Sequence, residues 1–456
     1  MNKKLIYLSL LLIFVFSAGL SCKKVDQKTQ AAMKPISINY WRVFDDSDAF
    51  QDIIAKYQAI HPNIKINYRK LRYEEFENEL LNALAEDRGP DILSIHNTWI
   101  RKYQNKLVPM PPQITMALQV ETGSIKKEII SELRTSKTIS LKDLKDRYLD
   151  VVYGDVVLDD NQIYALPLSV DTLVLYYNRD LFNNAGIIEI PKYWNKTFQQ
   201  DVKKLTRQDS VEGIVQSGIA MGTAENIERF SDVLTVLMMQ NGAIMMDGKQ
   251  VQFNVIPSAI RGNNYNPGLE ALRFYIDFSN PGKEVYSWNE ELPNSLTMFS
   301  SGKTAMMFGY SYHLPMIKAQ APKLNFSISS LPQIENSPVA VNFANYWVEA
   351  VSKKSLNKEV AWDFILFMNR EDQIKSYLEK TKKPTALRSL IKSQQENDEL
   401  SVFADQLLTA KSWYKGKDSN SAEKALAEMV NTARQNIGGI MNSLNAGAAK
   451  VQQTIY

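Results

Sequence analysis

Cysteine is almost absent: Cys22 is the only one in 456 residues, so no disulfide can close within the chain and stability must come from core burial. Histidine is nearly as scarce. His61, His96 and His313 stand far apart, and neither HExxH, CxxC nor a paired-His spacing occurs, so no metal site is expected. GxGxxG and GxxxxGKS/T runs are missing, and with them the glycine loops that cradle nucleotide phosphates; no cofactor is expected. Charge of one sign is missing too. Lys and Arg number 53 against 50 Asp and Glu, a formal net charge of +3, which gives no electrostatic case for nucleic acid. No apolar run reaches the ~20 residues of a membrane-spanning helix; Leu5 to Leu20 supplies 16.

What is present begins with that run. Lys3 and Lys4 precede the nearly unbroken apolar stretch Leu5 to Ala18, then Gly19, Leu20 and Ser21, the pattern of a secretory signal peptide over residues 1–21. Its end, "GLSCKK", resembles the bacterial lipobox. Leu20 and Ser21 fit, while Gly19 stands where an aliphatic residue is usual. The resemblance implies that Cys22 receives diacylglycerol and becomes the new N-terminus, which explains the lone thiol; plain secretion or an uncleaved anchor is the alternative. The chain would then be lipid-anchored at the cell membrane, facing the extracellular or periplasmic side. Losing Lys3 and Lys4 takes the formal charge to about +1. Residues 22–35 are polar and aperiodic, as in a lipidated N-terminus followed by a flexible tether.

Single cores stop growing at about 250–300 residues, so at least two domains are expected, and 45% hydrophobic residues allow them. "ISINYW" alternates as a strand does, "RVFDDSD" suits a helix start, and Phe50, Ile53, Ile54, Tyr57 and Ile60 fall at helical spacing. "IKINYRKL" alternates again, "YEEFENELLNALAED" is helical, and "GPDILSIH" is a turn entering a buried strand. Strands alternating with helices imply an α/β sheet. Two strand-like runs meet near Val170 and Asp171, helix dominates 196–301, "AMMFGYS" and "NYWVEAVSK" are further strands, and a long amphipathic stretch closes the chain. Met221, Met245, Met246, Met306 and Met307 suit gap-filling in a core.

From about Ile36 to Tyr456 these signals, in this order, resemble the family 1 extracellular solute-binding proteins, the maltose-binding-protein-like receptors of carbohydrate ABC importers. The likeness is carried by "NYWRVFDDSDAF", "YQAIHPNIKINY", "GPDILSIHNTWIRKYQNKLVPMP", "YALPLSVDTLVLYYNRDLFNNAGI", "FSSGKTAMMFGYSY", "SLPQ" and "NKEVAWDFILFMN". It implies an α/β, two-lobe periplasmic-binding-protein-like fold with discontinuous lobes, hinge crossings and an interlobe ligand cleft. Lobe 1 would take 36–168 plus 340–382 and lobe 2 would take 173–333 plus 388–456. The crossings would lie near 169–172, 333–340 and 382–388. Segment 113–150 is longer than the family pattern suggests and is expected to decorate the first lobe.

Ligands of open α/β sheets sit beyond the carboxyl ends of strands, which draws attention to the loops there. Trp41, Asp45 and Asp46 follow the first strand; one Asp could instead cap the next helix. His96 and Asn97 follow the third, beside Trp99, which core packing explains better. Sugars present hydroxyl edges and apolar faces, so bidentate polar groups beside flat aromatics suit them. The resemblance adds Asp171 near the hinge, Gly309 for close approach of backbone, and Tyr312 where many relatives carry a stacking tryptophan. Asn345 with Trp347, and Trp413 with Tyr414, form two more aromatic clusters.

The expected function is a receptor that captures a carbohydrate and docks, as a monomer, on ABC permease subunits, with no chemistry of its own. A secreted glycoside hydrolase is the main alternative, needing two carboxylates across a bond. Asp45 and Asp46 cannot easily form that pair, since neighbours on an extended segment point to opposite faces. The same fold binding a polyamine, glycerol phosphodiester or peptide is a third reading.

Overall fold

The computed structural model describes residues 27–123 and 127–456. The expected signal peptide and Cys22 lie outside them. Gln27–Ala32, expected within a tether, forms a short helix lying against a hairpin described below.

The apolar alternation read at the start of the chain becomes parallel sheet. Strand β1 (Ile36–Val43) lies between β2 (Ile64–Leu71) and β3 (Ile92–His96), parallel to both. Helices Asp48–Ile60 and Tyr73–Ala85 make the crossovers; the first buries Phe50, Ile53 and Tyr57 and half-buries Ile54 and Ile60, and the second buries Phe76 and Leu80. The short β4 (Leu107–Val108) closes one edge. Segment 113–150 supplies an antiparallel ribbon, β5 (Gln113–Thr122) with β6 (Glu128–Lys137), then a helix, Leu141–Arg147, started by a Ser140–Asp143 capping box. His61 Nδ1 lies 2.9 Å from the Ala117 carbonyl, tying the ribbon to this lobe.

After β7 (Ala165–Leu166) and β8 (Asp171–Thr172) the chain enters a second core, built on β9 (Val174–Asn178). Two small hairpins follow, β10 (Arg207–Asp209) with β11 (Gly213–Gln216) and β12 (Met246–Asp247) with β13 (Gln250–Val251). Strands β14 (Met306–Gly309) and β15 (Phe326–Ser329) then flank β9, both antiparallel to it. Met221, Met245, Met306 and Met307 are buried in this core, and Met246 packs partly against it. Strand β16 (Asn342–Asn345) leads back, and β17 (Trp347–Ser352) inserts antiparallel beside β3, where β7 also pairs with it. The closing amphipathic stretch breaks at Asn436–Gly439 into helices Ser419–Gln435 and Ile440–Gln453, because Asn436 caps a tight turn by accepting the Gly439 N–H.

The molecule therefore has two cores. The first gathers residues from Ile38 to Val170 and again from Ala344 to Ile391, with Ala404, Leu407 and Ala410. The second gathers Leu173 to Phe343 and most of the chain after Leu400. A three-stranded sheet, β18 (Ala410–Lys411), β16 and β8, lies where the chain passes between them. Val341 and Phe343 pack in the second core, and Ala386, Leu387, Leu390 and Ile391 in the first. Core membership changes between Phe343 and Ala344, and the two cores interleave between Ile391 and Ala410.

The first core contains charge. Arg42, only 3% exposed, sends Nε to Asp45 Oδ2 at 2.8 Å, Nη1 to Tyr40 OH at 3.1 Å and Nη2 to Tyr377 OH at 2.9 Å. Nη1 also donates to Glu349 on β17, and Ser94 Oγ donates to the same carboxylate at 3.2 Å. Lys383 Nζ completes the group at 2.5 Å from Asp45 Oδ1. Two cations meet two anions, and burial, which disfavours Arg42's charge, is outweighed by Glu349 together with Tyr377, Tyr40 and Asp45, so its pKa rises. Burial pushes the Glu349 carboxyl up, against the pull of Arg42.

Removing one member should strand the rest. Glu349→Gln is expected to cost about 3–5 kcal/mol in urea denaturation, the usual range for a broken buried pair. Lys70→Ala, which breaks an exposed pair with Asp46, should cost less than ~1 kcal/mol. Equal costs would show that the buried network contributes no more than a surface contact.

Candidate ligand-binding cleft

The loop after β1 turns sharply. Phe44 takes a left-handed backbone, φ 69°, at a cost of about 1–3 kcal/mol for a bulky residue. Its ring is 53% exposed while Asp45 next to it is 7% exposed. Tyr73, after β2, stacks on Phe44 with centroids 5.8 Å apart and planes at 20°. Trp347, starting β17, meets both edge-on, at 5.6 and 6.2 Å, and is backed by Phe76, His96 and Trp99. The first lobe thus presents an aromatic wall beyond the carboxyl ends of β1 and β2.

Beside the wall, His96 Nε2 lies 3.2 Å from Asn345 Oδ1 and Nδ1 lies 2.8 Å from Thr98 Oγ1. Asn345 Oδ1 can only accept, so Nε2 carries the proton and Nδ1 accepts. Burial and the Arg229 charge push the imidazole down to about 4, so it is neutral. Asn345 pairs in register with Asp171 in the crossing sheet. Asp171 accepts the Ser311 N–H at 2.9 Å and its hydroxyl at 2.6 Å; burial outweighs these bonds and pushes the carboxyl up to about 7. Tyr312 follows directly, 41% exposed, with its ring stacked on Tyr310 at 5.9 Å. His96, Asn345, Asp171 and Tyr312 therefore form one polar line across the hinge.

The second lobe adds charge. Arg229, left-handed with φ 55°, precedes the helix Phe230–Gln240. Its Nε and Nη2 each lie 2.9 Å from an Asp232 oxygen, and Nη1 lies 3.5 Å from Glu423. Tyr310 OH donates to Asp232 at 2.7 Å. The guanidinium charge reaches across the cleft to His96 and Tyr73. The lobes also touch directly: Trp99 Nε1 donates to Ser419 Oγ at 3.1 Å, and Lys415 and Ser412 donate to Asp155 of the first lobe.

The remaining sequence-predicted residues lie elsewhere. Trp41 is in the first core under the Arg69 guanidinium, 4.8 Å from the ring centroid. Asp45 is consumed by Arg42, Lys383 and Tyr377, with Arg42, Lys383 and hydrogen bonds outweighing burial and holding it at about 2. It does not cap the following helix, whose N-cap Ser47 makes no side-chain bond. Asp46 faces solvent with Lys70. Asn97 donates to buried Asp155 at 2.9 Å, as does Tyr346 at 2.6 Å. Gly309 is small for packing: a Cβ there would stand 2.9 Å from His313 Nδ1 and 3.0 Å from the Tyr176 ring. Trp413 packs edge-on against Phe253 and Tyr414. Among the described residues no cluster suited to hold a metal occurs, and no helix is long and apolar enough to cross a membrane.

Phe44 and Tyr73, passed over in the sequence, follow strands β1 and β2, so the strand-end rule would have reached them. Arg229, Asp232 and Glu423 carry no such signal, because only folding brings "ERFSD" and "SAEKA" together.

The shifted groups set opposite pH slopes. His96 and His313 are pushed by burial from 6.5 to about 4, so their share of stability is whole above about 6.5 and is lost as pH falls through 4. Asp171, raised from 3.8 to about 7, gives a share that is whole below about 4 and is lost as pH rises through 7. In denaturation curves from pH 4 to 7, Asp171→Asn should therefore steepen the gain of stability with pH, and His313→Asn should flatten it. Slopes moving the same way in both variants would contradict these assignments.

Residues 44–375 match the family described as bacterial extracellular solute-binding protein. The chain is 24% identical over 370 residues to a galactooligosaccharide-binding protein of Bacillus subtilis, covering 80% of this chain and 76% of that protein. It is 22% identical to the diacetylchitobiose binding protein of Streptomyces coelicolor, covering 72% and 68%. Among solved structures, a cyclic alpha-maltosyl-1,6-maltose binding protein from Arthrobacter globiformis superposes with a TM-score of 0.71 at 16% identity, covering 92% of this chain and 99% of that one, and shares its two-lobe fold. With the match spanning most of its length, the chain belongs to the family of bacterial extracellular solute-binding proteins.

Proposed function

We propose that the protein captures a carbohydrate between its lobes and delivers it to an ABC import permease, held at the outer face of the cell membrane by a lipid on Cys22. The observation that carries the sugar reading is the wall of Phe44, Tyr73 and Trp347 beside a line of hydrogen-bonding groups. A pyranose offers an apolar face to the first and hydroxyls to the second. Relatives named for galactooligosaccharide, maltodextrin and diacetylchitobiose point the same way. Binding would favour the closed form, in which both lobes contact the ligand. A hydrolase is less well supported, because Asp171 is held by Ser311 and Asp232 by Arg229 and Tyr310, leaving neither poised across a bond.

A thermal-shift screen against mono- and oligosaccharides, polyamines, glycerol phosphodiesters and peptides tests this directly. A ligand at a hundredfold excess over Kd should add about 2.7 kcal/mol, and a sugar hit should be recovered unchanged. Cleaved sugar would overturn the receptor reading, and hits confined to another class would discard the sugar. Trp347→Ala should weaken binding about tenfold, the upper range for an aromatic contact, whereas Asp46→Ala should leave it unchanged. Cys22→Ser should release the protein from the membrane fraction; continued retention would refute the lipid anchor.

A further inference from the structure

The second lobe's contribution to the cleft is charged in an unbalanced way. Among the described residues Arg229 is the one cation of its group, and it is bound through two nitrogens to Asp232, which is 4% exposed. Glu423 is a second carboxylate against the same guanidinium, 3.5 Å away, and its side chain is 37% exposed. Oε1 of Glu423 accepts from Ser231 Oγ at 2.7 Å. Glu228, beside Arg229, adds a third carboxylate, held by Asn294 at 3.0 Å. On the facing side His96 is neutral, and Lys383 is taken by Asp45 at 2.5 Å.

Geometry brings this excess to the aromatic wall. Glu423 lies four residues after Ser419 on the helix Ser419–Gln435, and residues at that spacing share a face. Ser419 Oγ accepts from Trp99 Nε1 at 3.1 Å, and Trp99 lies edge-on to Trp347 with centroids 5.6 Å apart. The first turns of this helix therefore stand against the wall. A sugar ring lying on Trp347 and Tyr73 would turn its polar edge toward Glu423.

We infer that Glu423 is a specificity-determining residue that makes the cleft accept sugars whose edge donates hydrogen bonds, neutral or amino sugars, and reject uronates. The inference rests on the carbohydrate reading above. A carboxylate oxygen can only accept, so it pairs with hydroxyl or ammonium and repels a second carboxylate. Asp232 holds Nε and Nη2 of Arg229, so a uronate could reach only Nη1, the nitrogen that faces Glu423 at 3.5 Å, and would have to displace that carboxylate. Rejection of the wrong ligand is thus built from charge as much as from fit.

The test pairs each member of a panel of gluco- and galacto-oligosaccharides with its C6-oxidised form and measures both by calorimetry on the full protein. The best neutral ligand should bind at least about tenfold tighter than its uronide, the gap should shrink between low and high salt, and Glu423→Gln should narrow it about threefold or more. Should that variant fail to fold, the salt dependence of the wild-type gap decides the matter. A uronide that binds as tightly as its neutral partner, or a gap untouched by salt and by Glu423→Gln, overturns the inference and leaves the carbohydrate reading standing. Absence of binding to every sugar overturns both.

Discussion

The guanidinium of Arg42 is the constraint around which the first lobe is organised. It sits at 3% exposure among Asp45, Glu349, Tyr40 and Tyr377, contributed by the first strand and the loop after it, by β17 and by the helix Glu371–Thr381. Such a charge is tolerable only when every partner is in place. The network therefore ties together pieces of chain more than 300 residues apart, and it requires the chain to return to the first lobe after building the second. A discontinuous lobe follows from that return.

The same network explains the shape of the cleft. Because Asp45 is drawn inward to Arg42 and Lys383, the preceding residue must turn outward, and Phe44 does so at a left-handed φ. Its ring then meets Tyr73 and Trp347. Trp347 opens β17, the strand that carries Glu349 into the network. The buried charge inside the lobe and the aromatic wall at its strand ends are thus parts of one arrangement, and lobe closure can use a wall whose position the core fixes.

Between the lobes the chain economises on contacts. The crossing strands β8, β16 and β18 are two to four residues long, and polar links from Ser412 and Lys415 to Asp155 and from Ser419 to Trp99 supplement them. Short pairings of this kind permit hinge motion, whereas the cores on either side do not. Asp171 and Asn345 lie in the crossing sheet itself, so ligand contact there would bear on the hinge directly.

Local sequence determined much of this protein. Period-two alternation in "ISINYW" and "IKINYRKL", helical spacing from Phe50 to Ile60, and the buried run before His96 set the strands and helices, because each pattern fits only one backbone geometry at a half-buried surface. A strand end also pointed to His96, and Asn345 with Trp347 stood out as an aromatic and amide cluster. What the sequence could not decide was which polar residue serves the core and which the cleft. Asp45 and Asn97 look like ligand groups until Arg42 and Asp155 claim them, and Arg229 and Glu423 look like surface charge until two helices bring them together. Burial and pairing of charge depend on neighbours hundreds of residues away, and only the tertiary structure supplies those neighbours.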